Sequence, residues 1–211
     1  MPVRNIVKEY GVNQYYHVYN RGTNKRTIFI AEADFAVFLN IFKQRLSHSE
    51  SKDSYGRSIS KFSAQVELVA YCLMPNHYHL LFFLKEIHGI ESLMRSAMTA
   101  YSLYFNRKHQ RVGGLFQGHF LASRIDTDSY FWQVSRYIHL NPLDIGKDPF
   151  SYKYSSLPYF LGHKQADWIH SEHYVETDQD YRKYHKFVED YEEAHQELSE
   201  LKYILANPIE L

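Results

Sequence analysis

Two histidines stand two residues apart in the run Met74-Pro75-Asn76-His77-Tyr78-His79-Leu80-Leu81. The segment HYHLLFFL reads as a strand. A strand has a side-chain period of two, so the imidazoles of His77 and His79 leave the same face. Two nitrogen donors on one rigid face are the start of a divalent-metal site. Such a site needs a third ligand. Tyr137 and Asn141 are four residues apart in a stretch that reads as a helix, so they share a face of it. The Asn141 carbonyl oxygen is a hard donor suited to Mg²⁺ or Mn²⁺. Tyr137 would then sit beside the ion as a candidate nucleophile. The plain alternatives are surface histidines, of which the chain has 13 to choose from, and packing tyrosines, of which it has 19. Tyr130 lies seven residues before Tyr137 on much the same face, and spacing does not separate the two.

The elements that must position these residues follow from periodicity and turn residues. Residues 15–20 (YYHVYN) read as a first strand ending at Arg21-Gly22. Residues 33–46 carry Phe35, Phe38, Leu39, Phe42 and Leu46 at helical spacing. Residues 47–63 are polar and serine-rich and read as a surface loop. VELVAYCLM and HYHLLFFL form a hairpin around Pro75-Asn76. Residues 90–108 read as a second amphipathic helix, Gly113-Gly114 as a break, and 119–125 as a fourth strand. Residues 127–140 read as a third helix with Thr127 as N-cap and Asn141-Pro142 at its end. The order β-α-β-β-α-β followed by a helix predicts an α+β fold. It is a ferredoxin-like antiparallel sheet with an added helix that carries Tyr137. Residues 1–150 are expected to form the main domain. Residues 151–211 would add an irregular aromatic segment and a charged helix over 178–205. Its stripe Phe187, Tyr191, Ala194, Leu198, Leu201, Leu205 would dock on the body or serve as a dimer seam.

Composition sets outer limits. With 211 residues, 45% of them apolar, the chain has enough for one core. No apolar run reaches 18 residues and the N-terminus has no leader-like stretch, so neither a membrane span nor a signal peptide is expected. The one cysteine, Cys72, lies in an apolar run and reads as a buried small residue, in keeping with a reducing cytoplasm. Net charge is zero, but residues 1–150 hold 18 Lys+Arg against 12 Asp+Glu, and 151–211 hold 6 against 12. A basic body with an acidic tail suits a nucleic-acid partner.

Four ordered blocks carry a resemblance: YHVYNRGTNKRTIF, VAYCLMPNHYHLLFFL, GGLFQGHF and SRYIHLNPLDIG. Over about residues 14–160 the chain resembles the HUH single-tyrosine transposases, and within them the REP-associated tyrosine transposases. The downstream YKYSSLPYFLG is similar to the segment that follows in that branch. The resemblance implies that His77 and His79 are metal ligands, that Tyr137 is the catalytic tyrosine, and that Asn141 is the third ligand, where some relatives carry Gln. It implies a Mg²⁺- or Mn²⁺-dependent DNA endonuclease and strand transferase. Such an enzyme would cleave and rejoin single-stranded DNA near hairpin or palindromic ends through a 5′-phosphotyrosine. It would work in the cytoplasm at the bacterial nucleoid, as a monomer or a homodimer. A non-mobile relative that binds or nicks hairpin DNA for its host would use the same residues.

Phosphate-directed cations and stacking aromatics should hold such a strand. The candidates are Arg21, Arg95, Arg107, Lys108, Arg111 and Arg124 with Phe116 and Gln117, and 106–111 is the densest basic cluster. An RNA-recognition sheet is a poor rival, because HYHLLFFL lacks the expected aromatic pattern. A zinc hydrolase would want a third His, Asp or Cys.

Overall fold

The structure is a computed structural model and describes residues 10–53, 55–173 and 175–190. The elements run β1 (Gln14–Arg21), α1 (Glu32–Leu46), β2 (Val66–Met74), β3 (His77–Leu84), α2 (Gly89–Lys108), β4 (Leu121–Ile125), α3 (Asp128–Leu140), α4 (Leu157–Phe160) and α5 (Asp178–Glu189). The four strands pair antiparallel in the order β2-β3-β1-β4. This is the sheet that the βαββαβ order predicts. No helix among the described residues is long and apolar enough to cross a membrane.

Both faces of the sheet are covered. On one face Tyr16, Val18, Leu68, Tyr71, Tyr78, Leu80 and Phe82 pack against α1 and α2. On the other, Val69, Ala70, Cys72, Met74 and Leu81 pack against α3, α4 and α5. The strands therefore read as nearly continuous apolar runs rather than as alternating ones. β2 slips register between Leu68 and Ala70. The extra residue of this bulge lets Val69 and Ala70 join the same core before Tyr71 returns to the other. Cys72 is fully buried, and burial pushes its thiol up.

In α1 the predicted Phe35, Phe38, Phe42 and Leu46 are buried, whereas Leu39 is half-buried and Ile41 packs inward instead. Each such side chain contributes about 1.5–3 kcal/mol on burial. The buried Asp34 carboxylate ties α1 to α2. It accepts backbone N–H groups of Ile30 and Ala31 at 2.9 Å, Lys108 Nζ at 2.7 Å and the Tyr104 hydroxyl at 3.1 Å. Burial alone would raise its pKa, but Lys108, the two N–H groups and His109 outweigh that and hold it well below the carboxylate range. The 47–63 segment is a surface loop with a turn of its own. Asp53 Oδ1 accepts from the backbone N–H of Tyr55 and of Arg57, both at 2.9 Å, and Phe62 is buried.

α3 is seated by a chain of directed hydrogen bonds. Ser135 Oγ donates to the Trp132 carbonyl at 2.9 Å, so it accepts from the Tyr184 hydroxyl at 3.1 Å. Tyr184 then accepts from His139 Nδ1–H at 2.6 Å, which leaves Nε2 to meet Ser156 Oγ at 2.8 Å. Ser156 Oγ in turn lies 2.7 Å from the Tyr71 backbone N–H on β2. One buried, neutral imidazole thus joins α3, α5, the approach to α4 and the sheet. Nearby, the Arg136 guanidinium lies 4.0 Å over the Phe187 ring. Of the expected stripe, only Phe187 is described; Tyr191, Ala194, Leu198, Leu201 and Leu205 lie outside the described residues.

Burial lowers the His139 pKa from 6.5 to about 3. The unfolded chain takes up a proton below pH 6.5 while the native state does not. Stability is therefore complete above pH 6.5 and lost as pH falls toward 3, by at most about 1.4 kcal/mol per pH unit from this group. Urea unfolding of the wild type and His139→Leu at pH 7.5 and 4.5 checks this. The variant should lose roughly 1–3 kcal/mol at pH 7.5 and show the flatter acid slope.

Candidate active site

The β1–β3 register brings Arg21 opposite His77 and Tyr19 opposite His79. β2 sets Met74 and Cys72 on their other side. The hairpin tip between β2 and β3 is anchored from outside. The Pro75 carbonyl accepts from the N–H groups of Ile28 and Phe29 at 2.8 and 3.0 Å, and the Asn76 carbonyl accepts from Gly22 N–H at 2.9 Å. His79 is buried and His77 is half-buried.

α3 crosses this face of the sheet. Its start is fixed by Thr127, whose hydroxyl accepts from Tyr130 N–H at 3.2 Å. Phe131, Val134 and Ile138 bury its apolar side. Tyr137 comes edge-on to His79, with ring centroids 5.2 Å apart, and is 8% exposed. Asn141 caps the helix, and its Nδ2 donates to the Tyr137 carbonyl at 2.8 Å. Because that carbonyl can only accept, the remaining atom, Oδ1, is the one that faces His77 Nε2 at 3.4 Å.

The same logic fixes His77. Asn76 Nδ2 donates to the Lys25 carbonyl at 3.3 Å, so Asn76 Oδ1 is the atom 2.7 Å from His77 Nδ1. In a neutral ring Nδ1 must then carry the proton, and Nε2 presents a lone pair. Two acceptors, His77 Nε2 and Asn141 Oδ1, therefore point at one another. That is unfavourable unless a positive charge lies between them. Their 3.4 Å separation suits neighbouring ligands on one ion held at about 2.0–2.2 Å. Among the described residues no three His, Cys, Asp or Glu side chains gather to hold a metal. An ion here would rest on two imidazoles and an amide. That set suits Mg²⁺ or Mn²⁺ with other oxygens completing the shell.

Burial, followed by the nearby Asp144 charge, raises the Tyr137 pKa against the lowering contact with Asn141. The hydroxyl is neutral in the resting protein. Tyr130 lies two turns earlier, packed against the second core, its pKa raised by burial and Asp126.

Residues 12–141 match the sequence pattern of the family described as IS200-like transposase. The chain belongs to that family. Among solved structures, this transposase is similar to a REP-associated tyrosine transposase bound to a REP hairpin. That match has 15% identity and a TM-score of 0.53, and covers 79% of this chain and 91% of the other. At that identity the likeness shows a shared fold. A second match is a crystal structure from Deinococcus radiodurans that carries the transposase name, at 17% identity and a TM-score of 0.39, covering 63% and 95%. No curated protein matches the sequence.

The eight DNA-contact candidates of this transposase separate into two groups. Arg21 Nε donates to Gln117 Oε1 at 2.7 Å, Gln117 N–H returns to the Arg21 carbonyl at 2.8 Å, and Phe116 bridges to Gly22. Arg21 and Gln117 stand at the His77 end of the sheet; Phe116 joins them through its backbone, but its ring packs on Tyr78 and Tyr101 toward α2. The others lie with the opposite face. Arg95 shares with Asn20, Phe116 and Phe120 a groove of about 390 Å³. Lys108 is bound to Asp34, Arg111 lies over Phe105, and Arg107 is exposed. Arg124 sits opposite Tyr16 on β4 and pairs with Asp126. Two of the three Lys/Arg of the 106–111 cluster, Lys108 and Arg111, are thus engaged with α1 or α2 themselves.

Sequence reasoning did not single out His17. It is fully buried, with Nε2 2.8 Å from His79 Nδ1. The available signal was the period-two series His17, Tyr19, Arg21 on β1, which faces the same way as His77 and His79 once the two strands pair.

Gly22 is where the loop approaches closest. A Cβ there would collide with the Arg26 carbonyl and stand 2.8 Å from Ile28 Cγ2. Gly22→Ala should therefore cost about 1–3 kcal/mol. Thermal unfolding checks this, and an unchanged midpoint would mean that the 22–28 loop yields freely.

Proposed function

We propose that this transposase cleaves and rejoins single-stranded DNA through a covalent 5′-phosphotyrosine at Tyr137. A divalent ion, Mg²⁺ or Mn²⁺, would be held by His77, His79 and Asn141. The observation that carries this reading is the opposed pair of acceptors, His77 Nε2 and Asn141 Oδ1, beside the Tyr137 ring. The bound ion supplies positive charge to the scissile phosphate.

The chain's own residues do the rest. α3 holds Tyr137 on a rigid element, so the hydroxyl meets the phosphorus with little orientational freedom to lose. The Tyr137 oxygen forms the new P–O bond as the P–O3′ bond breaks. The phosphate stays on O5′ of the downstream strand, now joined to Tyr137, and the leaving O3′ gains a proton to end as the 3′-hydroxyl of the upstream strand. The tyrosine proton must depart in this step, because burial keeps the resting hydroxyl neutral. Attack by a 3′-hydroxyl on the phosphotyrosine reverses the linkage and joins strands without an external energy source. Arg21 and Gln117 stand at the end of β1 that pairs with His77 and would take backbone phosphates. Phe116, whose ring packs on Tyr78 and lines the Arg95 groove, would offer an unstacked base a surface on the α2 side.

DNA with hairpin or palindromic ends is the proposed substrate. The fold-sharing REP transposase binds a REP hairpin. Moreover, a tyrosine set into a two-sided core reaches a phosphate of a single strand more readily than one inside a duplex.

Tyr137→Phe should abolish the covalent protein–DNA adduct with a hairpin-bearing single strand while changing its Kd by less than about threefold. A gel that resolves the adduct, together with a binding titration, decides this; adduct from the variant would remove Tyr137 from the role. His77→Ala should lose Mn²⁺-supported cleavage by at least about 100-fold, and chelator should do the same to the wild type. Cleavage that persists in chelator would overturn the metal part.

A further inference from the structure

His77 and Asn141 are each oriented by a backbone carbonyl, through Asn76 in one case and directly in the other. His79 has a different kind of support. Its Nδ1 lies 2.8 Å from Nε2 of His17, and both rings are buried. The two imidazoles meet edge to edge, with centroids 5.0 Å apart and planes at 15°. Tyr19 stacks on both, at 5.0 Å from His17 and 5.9 Å from His79. Tyr137 closes the cluster edge-on to each, at 6.0 Å from His17 and 5.2 Å from His79. Neither ring can turn without displacing a neighbour.

One proton is shared across the His17–His79 contact, and it decides whether the other His79 nitrogen, Nε2, presents a lone pair or an N–H. If His79 Nδ1–H donates to His17, Nε2 of His79 is an acceptor, matching Nε2 of His77. If His17 donates, His79 Nε2 carries the proton and binds no ion. We propose that His17 is a positioning residue of the metal centre: it accepts the hydrogen bond from His79 Nδ1–H and so sets the tautomer and ring plane in which His79 offers Nε2. Ligating imidazoles generally donate their second N–H to an oriented acceptor, and losing that acceptor weakens metal binding about 10–100-fold. Here the acceptor is a second imidazole on the neighbouring strand rather than a carboxylate.

The metal arm rests on the ion site proposed above; the tautomer arm does not. In metal-free wild type, long-range ¹H–¹⁵N correlation should show His79 protonated at Nδ1. Protonation at Nε2 would overturn the proposal whether or not the protein binds metal. For the second arm, Mn²⁺ binding is followed by electron paramagnetic resonance. His17→Phe keeps the ring volume and removes the acceptor, and it should bind Mn²⁺ about 10–100-fold more weakly with its circular dichroism unchanged. His17→Gln restores an acceptor and should recover most of that loss. Equal Mn²⁺ affinity in folded His17→Phe would overturn the proposal. Absence of Mn²⁺ binding by the wild type would instead remove the ion site, and the tautomer measurement would then decide the role of His17. If His17→Phe fails to fold, the wild-type tautomer and the His17→Gln affinity still decide it.

Discussion

The pairing of β1 with β3 governs the other distances in the site. Eight consecutive residue pairs, from Gln14 with Leu84 to Arg21 with His77, fix which side chains share a face. A slip of one residue would exchange the faces of the whole strand. It would carry His17, Tyr19 and Arg21 into the core that now holds Tyr16 and Val18. Burial of both faces makes such a slip costly, because each would receive side chains shaped for the other. The sheet is thus more than a platform: its register places His17 beside His79 and Arg21 beside His77.

On this frame the polar atoms are oriented by accounting for donors and acceptors. Backbone carbonyls accept and never donate, so Lys25 and Tyr137 each turn a side-chain amide. Those amides leave an oxygen facing each nitrogen of His77, Asn76 Oδ1 toward Nδ1 and Asn141 Oδ1 toward Nε2. On the far side of α3, His139, Tyr184 and Ser135 carry a chain of the same kind to the Trp132 carbonyl. Tyr137 lies between these two systems on the same helix. One presents acceptors to the site and the other locks the helix that carries the tyrosine.

Much of this was legible in the sequence where the determinants are local. The spacing of His77 and His79, the Thr127 cap and the Pro75-Asn76 turn are short-range features, and each appears where expected. Phe35, Phe38 and Phe42 announce α1 in the same way. What escaped depends on partners far along the chain. Lys108 reads as a surface cation until Asp34, 74 residues away, is seen beneath it. His139 sits in an ordinary amphipathic stretch, and nothing near it names Tyr184 as its partner. The bulge in β2 leaves no mark in an unbroken apolar run. His17 escaped because its meaning depends on the register of a strand formed 62 residues later.

The seating of α3 bears on where this protein can be cut. The family match ends at residue 141, at the last of the residues around Tyr137. Yet Ser156, Leu157, Phe160, Tyr184 and Val188 are what α3 leans on from the outer side. A fragment trimmed to the match would keep every candidate ligand and lose the wall behind them. His139 would face water, and the apolar flank of the tyrosine helix would become a sticky surface. The smallest useful unit for expression, crystallisation or transplantation into another protein therefore runs on through Val188.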